Sequence, residues 1–430
     1  MNPVEQNLGI WKNEALPKNV KPIPPSSLRL FGIDSADIRE VENLEKLRES
    51  PPNIVIAQAK KTFNFTQNYF KQQTLKKKNK YVMSLGVYQQ LQFDGRARKK
   101  VKLLIPGGVQ FKNVYRPYRG QDVDGKTVLV FRTGGIGDLL FIQPNLAYLK
   151  EKYPTCTIKF ACGPQYQPMV RNWDCVDEVL DLPFLFSHLY KSDYHMVFEG
   201  VIERCKAAKY INAYHLFTEW LGLNLSDELL VPHQEAKEDL VEECKGILDG
   251  WELDENDFIL MQLRASSPVR TPRHQFWVKI INELNKKGHK VLLTDSPHQA
   301  SNIDDFIKLL DKPNMTFNFC QYSKSIDYTI ALASMCKLTI GTDSSLNHIA
   351  ASLGKKCFGI YGPFPGNIRL TTYPNAAWVD AKRHCSPCFI HSQKPCPQAV
   401  EKYSPCYDEL VETDEKLNDV INKIEELLNR

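Results

Sequence analysis

No apolar run in these 430 residues approaches the roughly 18 to 20 needed to span a bilayer. The first thirty residues, broken by Pro17, Pro22, Pro24 and Pro25, contain no apolar core of a secretory signal. A cytoplasmic location with no transmembrane segment is therefore expected, where reducing conditions disfavour disulfides and turn clustered cysteines toward metal or catalytic use. Its glycine-rich strand end lacks both the spacing of a dinucleotide fingerprint and the lysine of a Walker loop, which argues against dehydrogenase and ATPase chemistry. With 43% hydrophobic and 24% charged residues the chain is neither disordered nor fibrous, and its length suits two large domains or three smaller ones.

The net charge of +5 hides an asymmetry. Residues 51–125 hold fifteen Lys or Arg against three acids, a balance of +12, whereas residues 1–50 carry −1 and everything from 126 onward −6. We read residues 1–50 as a Pro-rich arm with one helix from about Ser35 to Arg48, and 51–125 as a small basic β-rich domain. In the latter, Phe63, Phe65, Tyr69, Phe70, Tyr81, Tyr88, Phe93, Tyr115 and Tyr118 interleave with the bases. Two readings stand: stacking aromatics beside lysines, suited to single-stranded nucleic acid or an acidic glycan, or a small aromatic core with solvated lysines.

From Lys126 buried strands alternate with amphipathic helices, the pattern of a parallel sheet covered on both faces. One set comprises strands at Val128–Phe131 and Thr157–Ala161 with a helix over 136–152. A second comprises strands at Phe258–Met261, Lys290–Thr294, Leu338–Ile340 and Cys357–Tyr361, with helices at 276–287 and 346–353. The expected organisation is an N-terminal Rossmann-like lobe at 126–240, a C-terminal one at 241–380, a cysteine-rich finger at 381–410 and a helix at 411–430 lying across the lobes. Ligands of such sheets bind beyond the carboxyl ends of the strands.

Two strand-to-helix junctions carry the chemistry. In Phe131-Arg132-Thr133-Gly134-Gly135-Ile136-Gly137-Asp138, the glycines Gly134, Gly135 and Gly137 let backbone approach a ligand, and Asp138 sits in the first helical turn. Asp138 reads either as a dipole-favoured N-terminal charge or as a general base for an acceptor hydroxyl. In Gly341-Thr342-Asp343-Ser344-Ser345-Leu346-Asn347-His348, small hydroxyl residues and free helix N–H groups suit phosphates, while Asp343 and His348 have polar atoms for sugar or phosphate oxygens.

As a pair, Arg132 to Asp138 and Gly341 to Gly354, with Tyr361-Gly362-Pro363, resemble the bacterial heptosyltransferases and their relatives in glycosyltransferase family nine, over about residues 126–380. The resemblance implies a GT-B fold of two Rossmann-like lobes, each with a parallel sheet. It also implies a nucleotide-sugar donor, ADP-heptose or similar, held mainly by the C-terminal lobe, and inversion at the anomeric carbon without an obligatory catalytic metal. Asp138 matches the family's proposed base, and Asp343, Ser345, Leu346 and His348 match positions near the donor. Ser266, Ser267 and Arg270 carry over as its small hydroxyl pair and diphosphate-binding base. Leu263-Arg264 replaces the family's Pro-Gly, and Ser345 stands where glycine is usual, which leaves the donor open.

Cys385, Cys388, Cys396 and Cys406 form a C-x2-C-x7-C-x9-C array, and four thiolates with that first gap suit a structural zinc or iron, His384 and His391 being substitute ligands. The alternative is four unrelated buried cysteines. Similar clusters occur in part of the family, including autotransporter heptosyltransferases. The resulting expectation is an inverting glycosyltransferase acting on a hydroxyl of a glycan, lipopolysaccharide or protein, with self-association into a homo-oligomer allowed. Two rivals are a nucleic-acid-directed enzyme or binder using residues 51–125, and a non-catalytic metal-finger scaffold.

Overall fold

The computed structural model describes residues 42–49, 54–67, 71–84, 87, 88, 91, 98–104, 115–390, 396–399 and 403–430. Contacts divide the chain into two compact units, 1–135 with 145–225, and 136–144 with 226–430. Most of the expected arm, together with Tyr69, Phe70, Phe93 and His391, lies outside the described residues. Of the helix expected near Ser35 to Arg48 the described part is Leu44–Arg48, capped by Asn43, whose side chain accepts the Lys46 N–H at 3.1 Å.

In the first unit, β1 (Ile54–Ala59), β4 (Lys80–Ser84), β5 (Val101–Leu104) and β9 (Phe184–Leu185) form an antiparallel sheet ordered β5-β1-β4-β9, and β2 (Phe63–Gln67) pairs with β3 (Lys71–Leu75). A parallel sheet runs β10-β6-β7-β8, from Tyr194–Val197, Thr127–Phe131, Thr157–Ala161 and Glu178–Leu180. Alternation along β1 explains the layering. Ile54 and Ile56 face Leu129, Phe131 and Ala161 of the parallel sheet, while Val55, Ala57 and Ala59 face Phe63, Phe65, Tyr81 and Met83. The basic segment is thus not closed on itself, because its sheet is completed by β9.

That layering bears on the two readings of the aromatics. Phe63, Phe65, Tyr81 and Tyr118 are buried, whereas Lys60, Lys61, Lys76, Lys77, Lys78 and Lys80 are exposed. Rings that fill a core have no face left for a base, so these four make a core and the lysines are solvated.

In the second unit β11 (Phe258–Gln262), β12 (Lys290–Leu293), β13 (Thr316–Asn318), β14 (Leu338–Gly341), β15 (Cys357–Tyr361) and β16 (Ala376–Asp380) form one parallel sheet ordered β13-β12-β11-β14-β15-β16. β14 and β15 are buried along their whole length, as strands covered on both faces must be. The helices that serve the site are α1 (Ile136–Lys152), with Pro144 inside it, α2 (His274–Lys286), α3 (Ser345–Ser352) and α4 (Asp414–Asn429). The expectation that the last helix lies across two lobes is corrected. Leu417, Val420, Ile421, Ile424 and Leu427 of α4 sit in the second unit's own core beside Phe276, Ile280 and Val379. Among the described residues no helix is long and apolar enough to cross a membrane.

Candidate functional site

In the second unit the strand order reverses between β11 and β14, the place where open parallel sheets of this topology bind ligands. Gln262 pairs with Gly341 across these strands, so the loops 263–273 and 342–344 leave the sheet side by side. Sequence reasoning placed Ser266, Ser267 and Arg270 on the first loop and Asp343 on the second, and the structure brings them together.

Asp343 is the hub. Only 4% exposed, it takes Arg270 on Oδ2 at 3.1 Å and Arg369 on Oδ1 at 3.4 Å, and its carbonyl accepts Arg270 Nη1 at 2.8 Å. Arg270 Nη2 donates to Ser266 Oγ at 2.7 Å. Ser267 is fully buried, and its carbonyl accepts Thr271 Oγ1 at 3.0 Å, which folds the loop back on itself. Burial works to raise the Asp343 pKa, but the guanidiniums of Arg270 and Arg369, with the Arg270 hydrogen bond, outweigh it and hold the carboxyl at about 2. The carboxylate is occupied as an anchor for arginines, and one negative charge against two positive ones leaves the cluster cationic.

His348 lies on α3 beside this cluster. Burial drives its pKa down to about 4; Asp343 opposes that shift, and both arginines reinforce it. The ring is neutral at pH 7, with Nδ1 2.8 Å from Tyr373 Oη and its face edge-on to Phe141 at 4.9 Å. Ser345 opens α3, and Leu346 is buried, so what this turn offers a ligand is backbone N–H. Around the cluster, Arg270 Nε, Thr342 Oγ1, Ser344 Oγ, Asn347 Oδ1, Gln262 Oε1 and Tyr361 Oη are buried without a hydrogen-bond partner among the described residues. Buried polar atoms are ordinarily paired; beside net positive charge, Arg270 Nε and the hydroxyls of Thr342, Ser344 and Tyr361 are donors suited to a polar anion, while Asn347 Oδ1 and Gln262 Oε1 are acceptors suited to a ligand hydroxyl.

The glycine junction is built as tightly. Gly135 caps α1 at φ +90°, a backbone that side-chain-bearing residues rarely adopt. A Cβ on Gly134 would sit 2.3 Å from the Tyr166 ring. Arg132 is buried and clamps the turn, donating to the Gly134 carbonyl at 3.1 Å and pairing with Glu203 at 2.7 Å. Within the second unit, Gly137 of the first α1 turn lies against His348, where a Cβ would be 3.1 Å from the ring Cδ2. Asp138 follows it in the same turn.

Four participants escaped sequence reasoning: Arg369, Tyr373, Glu203 and Glu199, whose carboxylate accepts the Thr133 N–H and is pushed above the usual range by burial. Nothing local around Arg369 marks it. The usable signal is topological, since the exit from β15 falls beside that of its neighbour β14.

Cys406 is buried, and Cys385, Cys388 and Cys396 are half-buried. The other three lie close enough to Cys406 to act on its thiol, which burial first and their charges second push up to about 12. Among the described residues, however, no three His, Cys, Asp or Glu side chains are arranged tightly enough to hold a metal ion. The thiols gather without forming a closed ligand set.

The model of glycosyltransferase family 9 (heptosyltransferase) matches residues 212–398. No protein of curated function matches the chain. Among solved structures, the family 9 glycosyl transferase from Veillonella parvula is similar at 15% identity and TM-score 0.54, over 72% of this chain and 98% of that one. The E. coli ADP-heptose lps heptosyltransferase II is similar at 15% identity and TM-score 0.53, over 70% and 98%. At such identity the likeness is one of fold, and with two parallel sheets the fold is α/β and GT-B-like.

Proposed function

We propose that this chain, a GT-B glycosyltransferase of family 9 across residues 212–398, moves a heptose or related sugar from a nucleoside diphosphate to an acceptor hydroxyl with inversion. ADP-heptose, which the name of the E. coli relative carries, is the first donor to try, and the acceptor hydroxyl belongs to a glycan, lipopolysaccharide or protein.

One observation carries the reading: a buried, net-cationic arginine cluster, rich in unpartnered polar atoms, at the strand-order reversal of the second unit. In the reaction Asp138 takes the proton of the acceptor hydroxyl as its oxygen forms the bond to the anomeric carbon. The bond from that carbon to the diphosphate oxygen breaks, and the electron pair leaves with the nucleoside diphosphate. Arg270, braced by Asp343, and the N–H groups opening α3 at Ser345 meet the developing charge. Neutral His348 supplies one donor or acceptor without adding charge, while Gly134 and Gly137 let the Tyr166 and His348 rings pack against the turn that carries Asp138 and Gly135 provides its positive φ. A further assignment is structural: Cys385, Cys388, Cys396 and Cys406 would hold zinc or iron, whose bonds to four sulfurs would tie the segment together. Its support is the gathering of the four thiols around Cys406.

The test is Asp138→Asn. Turnover should fall by about 100-fold or more while donor affinity stays within twofold of wild type. Near-normal turnover at unchanged donor affinity refutes the base assignment.

A further inference from the structure

We infer that Ser404, Tyr407 and Asp408 are positioning residues for the donor loop, which makes the C-terminal cysteine-bearing segment part of the donor site. The inference rests on the donor-site reading above and adds residues that neither the family match nor the sequence motifs point to.

The loop that presents Arg270 contains a short 3-10 turn, Pro268–Arg270, too brief to satisfy its own carbonyls. Two of them are taken from far along the chain. Ser404 Oγ donates to the Val269 carbonyl at 2.7 Å, and Tyr407 Oη donates to the Arg270 carbonyl at 3.1 Å. Both donors are buried, Ser404 at 1% and Tyr407 at 0% exposure, so water does not compete for these bonds. Three residues beyond Arg270, Arg273 makes a two-pronged ion pair with Asp408, at 3.2 Å from Nε and 2.7 Å from Nη2. The backbone of the residue whose guanidinium faces the proposed diphosphate is therefore held on both sides by residues 404–408.

The same segment grips the neighbouring exit loop. Phe389 N–H donates to the Pro363 carbonyl at 2.8 Å, and Ser386 Oγ donates to the carbonyl of Gly362. Gly362 has no room for a side chain, since a Cβ there would lie 2.7 Å from the Cys406 sulfur. Arg369, the second arginine on Asp343, follows from this loop. Arg270 thus sits on a loop fastened by Ser404 and Tyr407, Arg369 sits on the short helix Asn367–Leu370 that follows a loop fastened by Ser386 and Phe389, and the hydrogen bonds of Ser404 and Tyr407 fall on either side of the last cysteine.

The experiment is calorimetric titration of the full-length protein with ADP, with UDP and GDP in parallel, alongside donor kinetics and thermal unfolding. Tyr407→Phe, Ser404→Ala and their combination are compared with wild type. Losing one hydrogen bond that orients the loop should weaken the bound nucleoside diphosphate by about threefold to tenfold, with the pair near the product. The loss should appear in KM for the donor more than in kcat, and Ser404→Thr, which keeps a hydroxyl, should restore affinity. Should a core variant fail to fold, Asp408→Asn, at a half-buried position, is expected to weaken binding in the same way. Affinity within twofold of wild type in the folded Ser404→Ala/Tyr407→Phe protein, or in Asp408→Asn if that protein does not fold, overturns the inference. Absence of nucleoside diphosphate binding by wild type overturns the donor-site reading along with it.

Discussion

Replacing Asp343 by Asn probes the cluster most sharply. The carboxyl falls from its ordinary 3.8 to about 2 in the folded protein, and at ~1.4 kcal/mol per pKa unit this corresponds to about 2 kcal/mol of stability. The folded value lies below the unfolded one, so this stability is complete above about pH 4 and lost as pH falls through about 2. Asparagine also leaves Arg270 and Arg369 facing each other without the intervening charge, and removing one partner from a buried ion pair costs about 3 to 5 kcal/mol. Part of that is recovered because Arg270 keeps Ser266 Oγ and the residue-343 carbonyl. The expected loss is about 2 to 4 kcal/mol in urea unfolding at pH 7. In addition, the variant's stability should no longer decline between pH 4 and 2 as steeply as that of wild type. A variant within about 0.5 kcal/mol of wild type at pH 7 would mean that the two arginines are not held by this carboxylate.

Other consequences follow from the same residues. His348 and His195 are each lowered to about 4 by burial, so the unfolded chain takes up their protons first; stability should drop as pH falls from about 6.5 to 4, and imidazole NMR titrations should show both rings neutral at pH 6. Gly134→Ala forces a methyl into the Tyr166 ring and should destabilise by about 1 to 3 kcal/mol, a loss that Gly134→Ala/Tyr166→Ala partly recovers; unchanged thermal unfolding would contradict that packing. Purified protein should contain close to one zinc or iron per chain by elemental analysis, with Cys388→Ser reducing it; metal-free wild type would rule out the four-sulfur assignment.

Much of the second unit was legible because its signals are local. A buried strand such as Cys357–Tyr361 is a continuous apolar run, and α1 begins where Gly135 permits positive φ and ends where its apolar pattern stops. Both junctions were readable for the same reason: glycines and small hydroxyl residues at a strand end have few other uses. The ion cluster was half legible. Arg270 and Asp343 were each singled out, but their pairing depends on β11 lying next to β14, and Arg369 on β15 coming next, which are properties of sheet order rather than spacing. The antiparallel layer was least readable. Pairing of β4 with Phe184–Leu185 spans about a hundred residues, and a two-residue strand has no periodicity to detect. The apolar stripe of α4 was visible, but a stripe says that a face is buried without saying against what.

Everything proposed for the reaction requires that the arginine cluster receive a nucleoside diphosphate sugar. Titrating the full-length protein with ADP-heptose and a panel of related nucleotide sugars, against Arg270→Met and Asp138→Asn, tests this directly. One donor should bind to wild type and to Asp138→Asn alike, and lose about tenfold or more in affinity with Arg270→Met. Equal affinity in the Arg270 variant, or no binding of any nucleotide sugar to wild type, would contradict it.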